Sequence, residues 1–233
     1  MADIVPKVGG SAKSAPLYRF FAIIPNMSVV VAKFGGTSVA NPERIRSVAQ
    51  RIVSRKRAGD SVVAVVSAMG KTTDDLVALA SSISDSPDPR EMDTLLSTGE
   101  MVSMSLLAMA VAELGEEAIS LSGRQIGLIT DSVHGKASIR EIHADRIRVA
   151  LSEGRIVIVA GFQGIDAAGD ITTLGRGGSD TTAVAIAAGI KADVCEIYTD
   201  VAGVYTADPR IVPRACKIDQ ISYEEMLEMA AGG

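Results

Sequence analysis

Val29-Val30-Val31-Ala32-Lys33-Phe34-Gly35-Gly36-Thr37-Ser38 is the stretch on which the fold turns. Val29 to Ala32 is an unbroken apolar run rich in β-branched residues, the pattern of a strand covered on both faces. Lys33 and the Gly35-Gly36 turn follow at once. Paired glycines let a backbone approach a ligand closely and aim its N–H groups at an anion. A lysine at the strand end can reach a transferred phosphoryl group. The same residues also read as an ordinary turn beside a surface lysine, so this stretch needs the rest of the chain.

Outward from it, strands and helices alternate. Asn41-Pro42-Glu43 opens a helix with a cap, a first-turn proline and an acid near the positive end, running to about Ala58. Val62 to Val66 and Ile156 to Ala160 read as further buried strands, and Asp193 to Thr199 as another. Helices are expected from about Thr73 to Ser82, Met92 to Leu114, Ser179 to Gly189 and Ile221 to Ala231. Ser84 to Arg90 reads as a loop, and Gly161 to Gly175 as a loop or short hairpin. This alternation argues for an α/β domain with a mostly parallel sheet covered on both faces. Ligands of such sheets bind at the strands' carboxyl ends, where Gly35, Ser67, Gly161 and Asp200 fall.

Composition narrows the function. The 233 residues are 47% hydrophobic and carry a net charge of −5 without a long basic run, which disfavours nucleic acid. No uncharged apolar stretch approaches the roughly 20 residues that span a bilayer, so no membrane partner is expected. Cys195 and Cys216 form neither a disulfide framework nor a metal-ligand spacing. Cys195, in an apolar run, reads as a reduced core thiol. His134 and His143 have no partner at useful spacing and read as structural. Residues 1–27 contain Pro6, Pro16, Pro25 and Gly9-Gly10-Ser11. Their apolar run Phe20 to Ile24 is too short for a secretory segment, and the stretch reads as a disordered tail.

Gly70-Lys71-Thr72 invites a P-loop reading, but the glycine required five residues earlier is Val65. No G-x-G-x-x-G follows the first strand, which disfavours a nicotinamide fold. Ser67 and Thr73 offer hydroxyls, or merely serve their turn and helix. Glu100, in Ser97-Thr98-Gly99-Glu100, sits within a long apolar helix; a buried glutamate wants a cation, whereas an exposed one is simply solvated. Gly175-Arg176-Gly177-Gly178-Ser179-Asp180 is the stronger signal. Its glycines lead into a helix whose N-terminus suits an anion, and Arg176 offers a two-pronged fork for a carboxylate. Asp180 either caps the helix or orients a nearby lysine. Thr199 to Arg210 holds Asp200, Tyr205, Asp208 and Arg210, suited to a nucleotide or to a long surface turn.

Together these segments resemble aspartokinases, within the amino acid kinase family. The resemblance is collinear from about Val29 to Gly233. It rests on Lys33 to Val39, Ser67 to Thr73, Ser97 to Glu100, Gly175 to Ala183 and Tyr198 to Arg210. It implies a three-layer α/β sandwich, the amino acid kinase (carbamate kinase-like) fold, over residues 28–233. It also implies ATP-dependent phosphorylation of the L-aspartate β-carboxylate, the first step toward lysine, threonine and methionine, in the cytoplasm.

By this resemblance Lys33 and Asp180 are catalytic, with Asp180 orienting Lys33. Lys33, Gly35, Gly36, Ser67, Thr199, Asp200, Tyr205 and Arg210 hold ATP, and Mg²⁺ bridges its phosphates without an assigned protein ligand. Arg176 takes the substrate α-carboxylate, assisted by Thr73, Ser67 and the Gly177-Gly178-Ser179 turn, and Glu100 takes the α-ammonium. Such kinases continue beyond the position of Gly233, with a second phosphate-binding lysine, a closing helix and strand, and ACT regulatory domains. The resemblance therefore implies an incomplete kinase domain that acts weakly alone. The alternative is a truncated aspartate- and ATP-binding module without turnover. A homo-oligomer, or association with an ACT-containing chain, is the expected assembly.

Overall fold

The computed structural model describes residues 28–200 and 203–232; the tail expected at 1–27 lies outside them. The strands are β1 (Val29–Phe34), β2 (Ser61–Val66), β3 (Ala118–Leu121), β4 (Leu128–Thr130), β5 (Ile139–Ile142), β6 (Ile156–Ala160), β7 (Gln163–Ile165), β8 (Ile171–Thr173) and β9 (Val194–Tyr198). The helices are α1 (Pro42–Arg57), α2 (Thr72–Ile83), α3 (Pro89–Glu113), α4 (Asp145–Ser152), α5 (Gly178–Ile190) and α6 (Tyr223–Gly232). A 3-10 turn spans Gly36–Val39.

The main sheet has five strands in the order β3-β6-β2-β1-β9, and every pairing is parallel. Its two faces can be read off the strands by alternation. Ala32 and Phe34 of β1, Val62, Ala64 and Val66 of β2, and Ile156 and Ile158 of β6 pack against α1 and α3 through Val48, Ile52, Met104, Leu107 and Val111. The intervening residues Val31, Val63, Val65, Val157 and Val159 pack against α4 and α5 through Ile147, Ala150, Ala183 and Ile186. This is the expected three-layer sandwich. α1 starts where the sequence placed it, with Asn41 Oδ1 accepting from Arg44 N at 2.9 Å.

α3 begins at Pro89, earlier than expected, because Asp88 caps it by accepting from the N–H groups of Arg90 and Glu91. By length and composition this helix is apolar enough to cross a membrane. Here one of its faces is packed inside the domain, with Asp93, Ser97, Gly99, Glu100, Ser103, Leu107 and Val111 buried.

A second, four-stranded sheet, in the order β5-β4-β7-β8, was not foreseen beyond the hairpin of β7 and β8. Its strands are three or four residues long, too short to print a period. Cys195 corrects another expectation. It is exposed, because β9 is the edge strand of the main sheet and alternating residues lack a covering layer.

Candidate active site

Lys33 lies on the β1 face that points to α5, two residues after Val31. Its side chain runs up that face and is 10% exposed, and Nζ ends 2.7 Å from Asp180 Oδ1 in the first turn of α5. Asp180 thus meets Lys33 rather than capping the helix; Gly177 is the cap residue and no side chain closes that end. The contact is an ion pair without hydrogen-bond geometry.

The turns after β1 and β2 are tied together by Ser67 N–H to Phe34 O at 3.1 Å and Gly70 N–H to Gly36 O at 3.1 Å. A Cβ on Gly36 would stand 2.9 Å from the Ala68 carbonyl oxygen, so only glycine permits this approach. α3 closes on the same turn. A Cβ at Gly99 would lie 2.9 Å from the Ala68 Cβ, and Ser103 Oγ donates to Ser67 O at 2.7 Å.

Glu100 is delivered to the β2 turn by this packing and is 3% exposed. Its Oε1 accepts from Ala68 N–H at 3.0 Å, while Oε2 is buried with no partner. Burial pushes its carboxyl up to about 7, and the Ala68 hydrogen bond only partly opposes this. A buried carboxylate with one open oxygen is built for a cation from outside the fold.

Opposite stands the turn before α5. Gly175 and Gly177 have φ of +75° and +76°, a left-handed backbone that favours glycine. Gly178 leaves no room for a side chain, since its Cβ would lie 2.9 Å from both Leu174 Cβ and Phe162 Cδ2. Among the described residues, the N–H groups of Arg176, Gly177 and Ser179 donate to no acceptor. With the exposed Arg176 guanidinium they form an anion-binding helix start.

These parts enclose a cleft of about 300 Å³ lined by Lys33, Gly36, Ser67, Thr73, Glu100, Gly175 to Asp180, Ala68, Gly70 and Phe162. The structure thus brings together nearly all the substrate and phosphoryl residues read from sequence. Gly35 stands just behind, where a Cβ would lie 3.5 Å from Lys33 Nζ. Thr199 instead lines a neighbouring depression with Ser38, Arg44, Ser47, Arg51 and Tyr198. Asp200 accepts from the Thr199 hydroxyl at 3.2 Å. Tyr205 bridges to Lys217, and Arg210 turns its fork onto Asp208 at 2.7 Å. None of these last three lines the cleft.

Three lining residues, Ala68, Gly70 and Phe162, carry no site role from the sequence, where Gly70 reads only as part of a rejected P-loop. Ala68 acts through its N–H, which any residue supplies. Phe162 holds a left-handed φ of +71°, and its N–H donates to Thr182 Oγ1 at 3.1 Å. A bulky residue in that region is an outlier that clusters at functional sites, and nothing in its type announces it.

A parallel sandwich with a glycine turn, a lysine and an acid at its carboxyl end defines an α/β protein with an anion-binding cleft at the strand ends. Residues 28–233 match the amino acid kinase family, and the chain belongs to that family. It is similar to the aspartokinase of Mycolicibacterium smegmatis, 61% identical over 208 residues, covering 89% of this chain and 49% of that protein. The aspartokinase of Geobacillus stearothermophilus is 61% identical over 204 residues, covering 88% of this chain and 50% of that one. The chain therefore spans about half the length of these relatives.

Among solved structures, aspartate kinase from Synechocystis superposes with a TM-score of 0.76 at 56% identity, over 87% of this chain and 33% of that one. Aspartokinase III of E. coli, in complex with aspartate and ADP, superposes with a TM-score of 0.77 at 31% identity, over 87% of this chain and 56% of that one.

Proposed function

We propose that this chain carries the site of an aspartate kinase, which transfers the γ-phosphoryl group of ATP to the β-carboxylate of L-aspartate and yields 4-phospho-L-aspartate and ADP. The observation that carries the reading is the pairing of Glu100, a buried carboxylate with an unpartnered oxygen, with Arg176 across one cleft. An α-amino acid has an ammonium for the first and an α-carboxylate for the second. The similarity to aspartokinases, one of them solved with aspartate and ADP, supports aspartate as that amino acid.

With its two α-groups held, the β-carboxylate is turned toward Lys33 and the Gly36 turn. Its reference pKa is about 3.9, so it is already a nucleophile at neutral pH and needs no general base. A carboxylate oxygen forms the new bond to the γ-phosphorus, and the bond to the β–γ bridging oxygen breaks as ADP leaves. The obstacle is repulsion between two anions. Lys33 and the N–H groups of the glycine turns offset it where charge accumulates. Asp180 holds the ammonium in place through the 2.7 Å ion pair. Thr73 and Ser67 offer hydroxyls within the cleft, and the Ser179 N–H, which donates to no acceptor among the described residues, faces the anion at the start of α5.

Among the described residues no group of three or more His, Cys, Asp or Glu is clustered for a metal. By the resemblance, Mg²⁺ would come with the nucleotide. Such an ion would supply further positive charge to the transferred group. Thr199, Asp200, Tyr205 and Arg210 are assigned to the nucleotide on the strength of the resemblance. The same resemblance supports residues 28–233 as an incomplete amino acid kinase domain, a cytoplasmic setting and a first step toward lysine, threonine and methionine. A substrate panel tests the assignment. ADP release from ATP should require L-aspartate and fall sharply with L-glutamate or β-alanine; equal rates with all three would remove aspartate from the account.

A further inference from the structure

We infer that Asp93 is a positioning residue for the Arg176 turn, and that α3 thereby sets both ends of the amino acid site from one helix. The inference rests on the aspartate reading above.

Asp93 is fully buried on α3. It sits seven residues before Glu100, two helical turns or about 10 Å along the same face. Its carboxylate joins three elements. Oδ1 accepts from Thr173 Oγ1 at 2.5 Å, at the end of β8, and from Gly135 N–H at 3.0 Å. Oδ2 accepts from the same N–H at 3.1 Å and lies 2.8 Å from His134 Nδ1. Ala137 N–H then donates to Thr173 O at 2.8 Å, which fastens the 134–137 loop along β8.

Gly175 follows Thr173 by two residues and rests on that loop. A Cβ there would stand 3.2 Å from Gly135 O and 3.4 Å from Lys136 Cβ. Asp93 therefore fixes the floor under the left-handed turn that presents Arg176. Asp93 is itself absent from the cleft wall. Removing one partner from a buried charged network leaves the others unsatisfied, and the turn above them loses its support.

β-Alanine is aspartate without the α-carboxylate, so the ratio of the two affinities isolates the contribution of the Arg176 turn. The test is competition calorimetry on the full chain with both ligands, for wild type, Asp93→Asn and Thr173→Val, with folding checked by circular dichroism. We expect the aspartate-over-β-alanine preference to fall about tenfold in Asp93→Asn and less in Thr173→Val, while β-alanine affinity changes less than about twofold. Thr173→Val keeps the side-chain shape and carries the test if Asp93→Asn does not fold. An unchanged ratio, or equal weakening of both ligands, would overturn the positioning role. A wild type without preference for aspartate would instead remove the aspartate reading, and this inference with it.

Discussion

Glu100 and Ala68 are joined by one buried hydrogen bond, Ala68 N–H to Oε1 at 3.0 Å, and the other Glu100 oxygen is buried without a partner. The two facts set a pH dependence. Burial raises the carboxyl from 4.5 to about 7. The folded state then binds a proton that the unfolded chain releases, so this contribution to stability is complete below about pH 4.5 and is lost as pH rises through 7. It amounts to about 3 kcal/mol. The ligand-free protein should therefore show a melting temperature that falls from pH 5 to pH 8, and Glu100→Gln should flatten that slope. A substrate ammonium favours the ionised form, so binding expels the proton. Aspartate affinity should rise about tenfold from pH 6 to pH 8, with proton release visible by calorimetry in buffers of different ionisation heat.

Glu100→Gln keeps the shape and removes the charge. The aspartate KM should rise roughly 10- to 100-fold, the loss of a hydrogen bond to a charged group at about 1.5–3 kcal/mol, with ATP KM nearly unchanged. Steady-state kinetics against each substrate separates the two.

Lys33→Ala removes the cleft cation proposed to face the transferred group. kcat should fall about 10²- to 10³-fold, or about 2.7–4 kcal/mol in the barrier. Aspartate affinity by calorimetry should stay within about threefold. Unchanged turnover would take Lys33 out of the chemistry.

Gly36→Ala tests the close approach of the two turns. The added methyl would stand 2.9 Å from a backbone carbonyl that cannot rotate away. Thermal unfolding should show a loss of about 1–3 kcal/mol, and turnover should fall with it, because Gly36 and Ala68 both line the cleft.

The core and much of the cleft are legible in the sequence because their residue types are forced. Val29 to Ala32 reads as a doubly covered strand, Gly36 and Gly178 leave no room for a Cβ, and Gly175 and Gly177 hold the left-handed φ that favours glycine. Glu100 is visible as a carboxylate within a long apolar helix, where the sequence allows both a buried and a solvated position and the fold buries it. The β4, β5, β7 and β8 sheet is too short for periodicity. Cys195 sits in an apolar run, yet edge position leaves it exposed. The partner of His134 is Asp93, 41 residues away, a spacing that no local reading detects. Asp200, Tyr205 and Arg210, which the resemblance assigns to the nucleotide, share a loop in sequence without lining the cleft in space.

The most direct measurement is chemical trapping of the product. The full chain, ATP, Mg²⁺ and L-aspartate are incubated with hydroxylamine, and the hydroxamate is identified by mass spectrometry. The account predicts aspartate β-hydroxamate that requires both ATP and the protein and is abolished in Lys33→Ala. Absence of any hydroxamate from the wild type, or a hydroxamate formed as readily from glutamate, would contradict it.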